Sequence, residues 1–279
     1  MSEKLVFVNR AFVPEDKASF SVFDRGLLYG DGLFETIRIY GGKFFLLDQH
    51  LKRLFDGLKV LAIRVPYSAA ELEIFTRELA ITNRINEGFA RIVVSRGEGF
   101  LGFSPRGAGT PHVAICARER PVAMRRTEVW KLTVARRPIA PIPLKSLSFL
   151  PHVLARKEAE DRGFDEAILL DAEGIVVEAT ASNLFLWNNG DIMTPPLSTG
   201  CLPGITRAEV IKVARQKGFR VVEKKFKVRD CRKAEGIFLT NSLLEIVPCQ
   251  IAHRLKPELA AKMDELEAAF AYHRSEGSR

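Results

Sequence analysis

The run from Glu178 to Arg207 restricts the fold of this chain more than any other part of its sequence. Short apolar runs separated by turn residues predict strands, and the Thr206…Glu209 spacing is a capping-box pattern. That pattern predicts a helix that begins at Thr206 and stops at Gly218. Gly204 lets the main chain approach closely, so the free N–H groups at this helix start could bind a phosphate. A plain turn into a helix is the simpler interpretation of this segment alone, and other residues must decide.

Length and composition predict an ordinary globular protein. With 279 residues and 47% hydrophobic content, the chain can bury one large core or two medium ones. It contains no apolar run long enough to span a membrane, and Met1–Lys4 leads straight into a strand pattern at Leu5–Val8. We therefore expect no signal peptide and a cytoplasmic location. The four cysteines and five histidines do not fall at disulfide-framework or metal-ligand spacings, so no metal site is predicted.

The first 117 residues show an α+β pattern, and we expect them to form a small domain. Helical spacing follows Asp48, a candidate N-cap, and the Ser68…Glu71 capping box opens a second helix that reaches about Leu79. Charge and a proline interrupt the pattern at residues 118–125, which we interpret as a linker. The predicted strands of this domain are Leu5–Val8, Phe34–Tyr40, Phe44–Leu47, Ala90–Ser95 and His112–Ala117.

Residues 126–279 predict a larger second domain. Pro151 suits the first turn of a helix that runs to about Arg162, and Leu259 to about Tyr272 predicts a final amphipathic helix. The whole chain therefore falls in the α/β (α+β) class. The predicted strands of this domain are Val129–Ala135, Ala167–Leu170, Ile175–Val177, Leu184–Trp187, Ile192–Thr194 and Ile237–Thr240.

The formal net charge of +8 raises the question of a nucleic-acid partner. The densest basic run, Lys224–Arg229, alternates like one face of a strand, and basic residues elsewhere are interleaved with acids. Because no nucleic-acid-binding module is recognisable, we expect a solvated basic surface and no nucleic-acid partner. A small anionic substrate accounts for the charge equally well.

Gly97-Glu98-Gly99-Phe100-Leu101-Gly102 matches the Gly-x-Gly-x-x-Gly pattern of dinucleotide sites. Such a site also needs a helix directly after the pattern and a surrounding βαβ unit. The next residues, Phe103–Gly107, include a proline and cannot open that helix. The motif is therefore interpreted as part of a flexible loop on the substrate side.

Two residues gain interest from their surroundings. Lys145 lies in an apolar and hydroxyl-bearing run, Leu144–Leu150, where desolvation would favour the neutral amine that Schiff-base chemistry needs. A surface lysine with an apolar stem would look the same in isolation. Glu178 ends a predicted strand, and the small residues Ala179–Ala181 after it would let its carboxylate meet a ligand close to the main chain.

Taken together, these motifs resemble the signature of the class IV aminotransferases, the fold-type IV pyridoxal-phosphate enzymes. The resemblance implies a small N-terminal α/β domain followed by a larger C-terminal α/β domain with a pseudo-barrel. It also implies pyridoxal 5'-phosphate as the cofactor and a homodimer whose active sites lie between the domains and near the partner subunit. The matching runs, which cover nearly the whole chain, are Asp24–Thr36, His50–Leu54, Leu144–Leu147, Glu178-x-Thr180-x-x-Asn183-Leu184-Phe185, Ile192-x-Thr194 and Leu202-x-Gly204-Ile205-x-Arg207.

The resemblance implies a role for each matching position. Lys145 would bind the cofactor as a Schiff base and then move protons as general acid and base. Glu178 would pair with the pyridinium nitrogen and keep it protonated, so that the ring can accept electrons. Other residues would hold the phosphate or pack on the ring face, while Asn183 and Thr194 would support the turns. The remaining implied cofactor contacts are Arg53, Leu202, Gly204, Ile205, Thr206 and Thr240.

The motifs leave two reactions open. We expect first a 4-amino-4-deoxychorismate lyase, which removes pyruvate and gives 4-aminobenzoate for folate synthesis. This expectation rests on the Leu28–Arg38 and Leu239–Pro248 runs, which resemble those enzymes. The alternative is an aminotransferase for branched-chain or D-amino acids with a 2-oxo acid acceptor. Thr36 replaces a glycine of the usual branched-chain pattern, and Phe34 stands where D-amino-acid enzymes carry a carboxylate-binding tyrosine.

Several residues are candidates for holding a substrate carboxylate, because guanidinium forks and amide donors suit that group. An ion pair within the protein explains each arginine as easily. A non-enzymatic cofactor-holding or nucleic-acid-binding protein would require loss of Lys145 or a clustered basic face, and the sequence has neither. The candidate substrate residues are Tyr29, Phe34, Arg38, Arg96, Asn241 and Ser242.

Overall fold

Two sheets, each with its own helices, organise the chain. The computed structural model describes residues 4–120, 129–188, 190–251 and 257–277. Within these ranges the chain divides into two compact units, one with residues 4–120 and Leu144–Phe149 and one with residues 129–143 and Leu150–Glu276. The predicted mixed α/β class is confirmed. None of the helices in these ranges has the length and apolar composition that crossing a membrane requires.

The first unit is built on a six-stranded antiparallel sheet in the order β2-β1-β6-β5-β3-β4. Gly41 and Gly42 form the β3–β4 turn with φ values of 54° and 78°, which glycine adopts without strain. The Gly-Gly hairpin is as predicted, but its second strand ends at Phe44 rather than at Leu47. The strands are β1 (Leu5–Val8), β2 (Ala11–Pro14), β3 (Gly32–Tyr40), β4 (Lys43–Phe44), β5 (Gly88–Ser95) and β6 (His112–Glu119).

Helices α1 (Arg25–Tyr29), α2 (Leu47–Val60) and α3 (Ala69–Thr82) accompany this sheet. The predicted Ser68…Glu71 capping box opens α3, with Glu71 N donating to the Ser68 hydroxyl at 3.2 Å. By contrast, α2 follows a left-handed Leu46, so Asp48 lies in its first turn rather than at its N-cap.

The side chains of strand β3 alternate between two faces, because successive side chains of a strand point to opposite sides. Leu33, Ile37 and Ile39 point into a core that includes the apolar stripes of α2 and α3. Burying one such side chain contributes about 1.5–3 kcal/mol, so this core fixes β3 firmly. Glu35 shares the buried face, whereas Phe34 lies on the opposite face.

The segment Leu144–Phe149 differs from the prediction, which placed it in the second domain. Phe34 N donates to Lys145 O at 2.9 Å, and Leu147 N donates to Gly32 O at 3.0 Å, so the segment pairs with the start of β3. Backbone pairing between residues more than a hundred positions apart leaves no local pattern in the sequence. The first unit therefore contains the backbone of Lys145.

The second unit is built on an eight-stranded mixed sheet in the order β12-β11-β10-β13-β14-β7-β8-β9. The edge strand β9 enters β10 through a tight turn, in which Ala179 N donates to Ser182 O at 2.8 Å. Because β10 belongs to the other half of the sheet order, the sheet curls back on itself, as a pseudo-barrel requires. Its elements are β7 (Trp130–Val134), α4 (Leu150–Asp161), β8 (Glu166–Leu170), β9 (Val176–Ala179), β10 (Asn183–Asn188), β11 (Asp191–Thr194), α5 (Ile205–Gln216), β12 (Val221–Glu223), α6 (Val228–Lys233), β13 (Gly236–Asn241), β14 (Glu245–Gln250) and α7 (Pro257–Gly277).

Helix α5 begins one residue earlier than predicted and without the expected capping box. Gly204 is its N-cap, and no described side chain accepts a hydrogen bond from the first turn. Glu209, the predicted capping partner, instead pairs with His273 of α7, with 2.7 Å between Oε2 and Nε2. The capping-box prediction is therefore wrong, and the N–H groups at the start of α5 are left for another acceptor.

The sequence patterns missed five short elements, namely β2, α1, β12, α6 and β14. Of the predicted linker, Arg118 and Glu119 belong to β6, and residues 121–125 lie outside the described ranges. The predicted domain limits 1–117 and 126–279 otherwise stay a prediction.

Candidate active site

The amine of Lys145 lies against aromatic side chains of the first unit. Its Nζ is 4.6 Å from the ring centroid of Phe34 and 5.8 Å from that of Phe149. The two rings form a T-shaped pair with their centroids 5.5 Å apart, and Lys145 itself is half-buried. The apolar surroundings predicted for this lysine are therefore present. The position of the amine is fixed by the pairing of the Lys145 backbone with β3 and by the packing of its aliphatic side-chain carbons.

Arg91 belongs to the same face of the sheet, and the sequence predictions missed it. It lies opposite Thr36 in the β3–β5 register, and its Nε donates to the Thr36 hydroxyl at 3.2 Å. Its guanidinium carbon is 5.0 Å from the centroid of Phe34, the ring that also contacts Lys145. An exposed guanidinium on the ring that also contacts the amine makes this face suitable for a carboxylate. Arg91 is the one charged residue in the largely apolar run of β5, and this contrast could have identified it from the sequence.

Glu35 is a buried carboxylate held by two hydrogen-bond donors of α2, Arg53 and His50. Its Oε1 accepts from Arg53 Nε at 2.7 Å, and its Oε2 accepts from Arg53 Nη2 and His50 Nδ1, each at 2.7 Å. Burial alone would raise the pKa of Glu35, but the hydrogen bonds from His50 and Arg53 outweigh it and hold the pKa at about 2. Burial lowers the pKa of His50, so a neutral imidazole donates from Nδ1. This pair of bonds fixes the direction of the Arg53 guanidinium.

Glu178 stands at the end of β9 in the second unit, where two donors orient its carboxylate. Leu202 N donates to Glu178 Oε2 at 3.2 Å, and Asn183 Nδ2 donates to the same oxygen at 3.3 Å. Asn183 Nδ2 also donates to Leu202 O at 2.9 Å, so the three residues are interlocked. Asn183 therefore supports Glu178 directly, a contact that the sequence could not specify.

The start of α5 and the end of β13 supply donors that suit a phosphate. The buried Thr240 hydroxyl has no hydrogen-bond partner among the described residues, and a buried polar atom without a partner is costly. Thr206 is buried in the first turn of α5, next to N–H groups that no described side chain caps. A side chain at Gly204 would collide with the Asn183 amide oxygen, so only glycine fits there. Uncapped N–H groups and an orphaned hydroxyl are what a bound phosphate would satisfy.

Two of the predicted substrate arginines are committed elsewhere. Arg38 is buried, donates to the carbonyl oxygens of Ile39 and Gly88, and pairs with Glu87 at 3.1 Å. It also packs over the Tyr40 ring at the far end of β3 from Phe34. The prediction that Arg38 binds a substrate carboxylate is therefore not supported.

Arg96 is held in the same way. Its Nε donates to Asp31 at 2.7 Å and its Nη2 donates to Leu61 O at 2.9 Å. Asp31 in turn pairs with Arg25, whose guanidinium donates to the carbonyl oxygens of Gly102 and Phe103. Arg96 therefore belongs to a cluster that holds the loop after β5, and its predicted contact with substrate is not supported. The antiparallel pairing of β5 with β6 also rules out a dinucleotide motif in that loop.

The other substrate candidates have mixed outcomes. Asn241 Oδ1 accepts from Leu243 N and Leu244 N, and its Nδ2 donates to Ser182, so its side chain serves a turn. The Tyr29 hydroxyl accepts from Gly102 N at 2.7 Å. Ser242 is half-buried in the turn after β13. Tyr29 and Ser242 stay predictions.

The cysteines offer no reactive thiol for this chemistry. All four are free, and burial raises the pKa of Cys116, Cys201 and Cys231, the last to about 12. A thiol with a raised pKa is a poor nucleophile at neutral pH. Across the described ranges, His, Cys, Asp and Glu side chains do not form a group of three that could hold a metal ion.

Comparisons with known proteins identify the family of this chain. Residues 32–251 match the sequence model of the amino-transferase class IV family. The chain is 41% identical over 247 residues to a Methanocaldococcus jannaschii protein provisionally named a branched-chain-amino-acid aminotransferase, a match that covers 87% of this chain and 86% of that protein. It is 34% identical over 250 residues to the aminodeoxychorismate lyase of Bacillus subtilis, with 88% and 85% covered.

The fold has a similar relative among solved structures. The branched-chain aminotransferase of Thermoproteus uzoniensis, crystallised with norvaline, matches with a TM-score of 0.88 at 30% sequence identity. The match covers 97% of this chain and 96% of that one.

Proposed function

The chain belongs to the class IV aminotransferases, which use pyridoxal 5'-phosphate, and from this premise we propose that it is an amino-acid aminotransferase for aliphatic donors with a 2-oxo acid acceptor. The 41% identical relative and the norvaline-bound structure are both named as branched-chain aminotransferases, which favours this reaction. The lyase reaction, expected first from the sequence, becomes the second candidate.

We prefer the aminotransferase reaction because few of the described groups near Lys145 are available to bind a substrate carboxylate. Aminodeoxychorismate has two carboxylates, and each needs a cationic or amide donor. Arg38, Arg96 and Asn241, which were expected to provide them, are engaged in structural contacts. Among the described residues of the first unit, Arg91 is the guanidinium that packs on the Phe34 ring, which also contacts the amine. One guanidinium and two aromatic rings suit a monocarboxylate with an apolar side chain better than a dicarboxylate.

Each implied cofactor contact has a group of the right chemistry. When bound, pyridoxal 5'-phosphate supplies an electron sink for the charge left after a proton is removed from the donor carbon. Lys145 would provide the amine that binds the aldehyde carbon and would then move the proton. Glu178, oriented by Asn183, provides a carboxylate for the ring nitrogen. Phosphate donors would be Arg53, the Ile205 and Thr206 amides and the Thr240 hydroxyl, and Leu202 would pack on the ring face.

The lyase candidate keeps one structural argument. Thr36 carries a hydroxyl on the face of β3 that holds Phe34, where it accepts from Arg91 of β5, at the position where the branched-chain pattern has glycine. Such a hydroxyl adds a polar group to this face and takes up space that an aliphatic side chain of the substrate would need. The 34% identity to the Bacillus subtilis lyase fits this candidate.

A donor assay separates the two reactions. The cofactor-loaded protein is mixed with single amino acids, L-valine, L-leucine, L-norvaline and D-alanine, and conversion to the pyridoxamine form is followed by absorbance. We expect stoichiometric conversion with the aliphatic L-amino acids. 2-Aminoisobutyrate, which has no proton on the reacting carbon, is the control and should give no conversion. Pyruvate release from aminodeoxychorismate, with no conversion by any amino acid, would establish the lyase instead.

A homodimer is part of this proposal. Around α1 and the loop after β5, large apolar side chains are exposed, including Phe23, Leu27, Leu101 and Phe103. Exposed apolar patches of this kind mark protein–protein contacts. Light scattering should give twice the chain mass of 31.2 kDa. A cytoplasmic location stays a prediction.

Arg91→Met tests the assigned carboxylate ligand. We expect KM for the 2-oxo acid and for the amino donor to rise roughly 10- to 100-fold, because a charge-assisted hydrogen bond contributes about 1.5–3 kcal/mol. Steady-state kinetics measure this, and kcat should change much less. Arg64→Met removes an exposed arginine of the same unit and serves as the matched control. Equal KM values for both variants would remove Arg91 from the site.

A further inference from the structure

Glu166 is a fully buried carboxylate for which no catalytic role has been assigned. It begins β8, and its Oε1 accepts from Ala167 N at 2.8 Å, from Thr180 N at 3.2 Å and from the Thr180 hydroxyl. Its Oε2 accepts from Arg156 Nη1 of α4 at 2.9 Å. An ionised carboxylate accepts on both oxygens and donates nothing, so it satisfies these four donors together. Burying such a charge is costly unless it is paired in this way, which points to a positional purpose.

The residue that Glu166 holds lies in the turn between β9 and β10. Thr180 is buried in this turn, which the Ala179 N to Ser182 O hydrogen bond closes. Ser182, at the other side of the turn, accepts from Asn241 Nδ2 at 2.9 Å. The turn is therefore fastened at both sides, to β8 through Glu166 and to the end of β13 through Asn241.

This turn joins the two strands that carry the acid and its support. Glu178 lies two residues before Thr180, and Asn183 lies three residues after it. Asn183 donates to Glu178 and is also the β-sheet partner of Thr240. The unpartnered hydroxyl of Thr240 is one of the proposed phosphate donors. A displacement of the turn would therefore move the ring-nitrogen partner relative to the phosphate donors.

We propose that Glu166 is a positioning residue, which holds the 179–182 turn through Thr180 so that the Glu178 carboxylate meets the ring nitrogen of the cofactor. The proposal rests on the proposed function, since it needs pyridoxal 5'-phosphate at these residues. Glu166 itself touches neither cofactor nor substrate. Arg156 pairs with Glu166 Oε2 and so orients the carboxylate, leaving Oε1 for the donors of the turn.

The test compares Thr180→Val with Thr180→Ser in the cofactor-loaded enzyme. Valine has the shape of threonine but lacks the hydroxyl, so Glu166 loses one donor and the turn loosens, whereas serine keeps that donor. For Thr180→Val we expect roughly tenfold weaker cofactor binding, because one charge-assisted hydrogen bond is lost. Thr180→Ser should stay within about twofold of wild type, and Asp161→Asn, an exposed carboxylate of α4, should do the same.

The pH dependence of the absorbance of the lysine-bound cofactor separates positioning from mere stability. A protonated ring nitrogen disfavours a second positive charge on the lysine nitrogen. If Glu178 is displaced, the ring nitrogen loses its proton more easily, and the midpoint of the titration should rise by about one pH unit. A lowered melting temperature with an unchanged midpoint in Thr180→Val would overturn the proposal.

Arg156→Met provides a second route if Thr180→Val does not fold. It leaves the Thr180 hydroxyl in place and removes the ion pair on Oε2, so the midpoint should shift in the same direction by a smaller amount. An unchanged midpoint in this variant also contradicts the proposal. If wild type binds no cofactor or converts no donor, the proposed function fails. If wild type behaves as expected and both variants match it, only the role of Glu166 fails.

Discussion

Lys145→Ala is expected to abolish turnover, with kcat reduced by roughly 10⁴-fold. The substitution removes the amine that we propose to hold the cofactor aldehyde and to move the proton, and no other described lysine contacts the Phe34 and Phe149 rings. The absorbance band of the lysine-bound cofactor should disappear at the same time. Stopped-flow kinetics with the best donor and an absorbance spectrum of the loaded protein measure the two effects.

Lys43→Ala is the matched control for this experiment. Lys43 is an exposed lysine on β4 of the same unit, so its removal should leave both kcat and the spectrum unchanged. Added methylamine should restore part of the activity of Lys145→Ala, because it can move the proton in place of the side chain. A Lys145→Ala protein that retains the band and the activity would contradict the family chemistry for this chain.

Glu35→Gln is expected to lower the free energy of unfolding by about 3–5 kcal/mol, the usual cost of breaking a buried ion pair. Glutamine keeps one acceptor oxygen, but its amide donors would face the donors of Arg53 and His50. Urea unfolding followed by circular dichroism measures the change. Glu73→Gln, which breaks an exposed pair with Arg77, should cost about 0.5 kcal/mol or less.

The same carboxylate predicts how stability depends on pH. Its pKa falls from 4.5 in the unfolded chain to about 2 in the fold, so its stabilising contribution is complete above pH 4.5 and is lost as the pH falls toward 2. The shift corresponds to about 3 kcal/mol. The lowered pKa of His50 acts in the same direction, because protonation of the unfolded chain below pH 6.5 also favours unfolding. Glu35→Gln should therefore lose stability less steeply than wild type between pH 4.5 and 2, and equal slopes would show that Glu35 does not titrate in this way.

Local patterns predicted the elements well where the partners are close in sequence. The Ser68…Glu71 box and the Gly41-Gly42 turn were correct because each depends on residues at most four positions apart. The Thr206…Glu209 box failed because Glu209 has a stronger partner in His273, 64 residues later. A rule based on local spacing does not take such a distant partner into account.

The candidate site was predictable where it depends on residue type and unpredictable where it depends on register. Lys145 and Glu178 were proposed from their motif, whereas Arg91 was not considered because its neighbour Thr36 lies 55 residues away on another strand. Arg38 was chosen as a ligand because a guanidinium suits a carboxylate. Arg38 lies four residues beyond Phe34 on the same face of β3. There its guanidinium donates to the Gly88 carbonyl oxygen and to Glu87.

The pairing of Leu144–Phe149 with β3 also limits how such a protein can change through recombination. An exchange that joined residues 4–120 to the rest of a relative would import a foreign segment beside Gly32 and Phe34, together with that relative's lysine. Its side chains would have to match an aromatic ring inherited from the other parent. Viable chimaeras should therefore be those that transfer the six-residue segment with β3, although the two are separated by more than a hundred residues of chain. The surroundings of the proposed catalytic lysine are therefore inherited as a pair of distant segments rather than as one continuous stretch of gene.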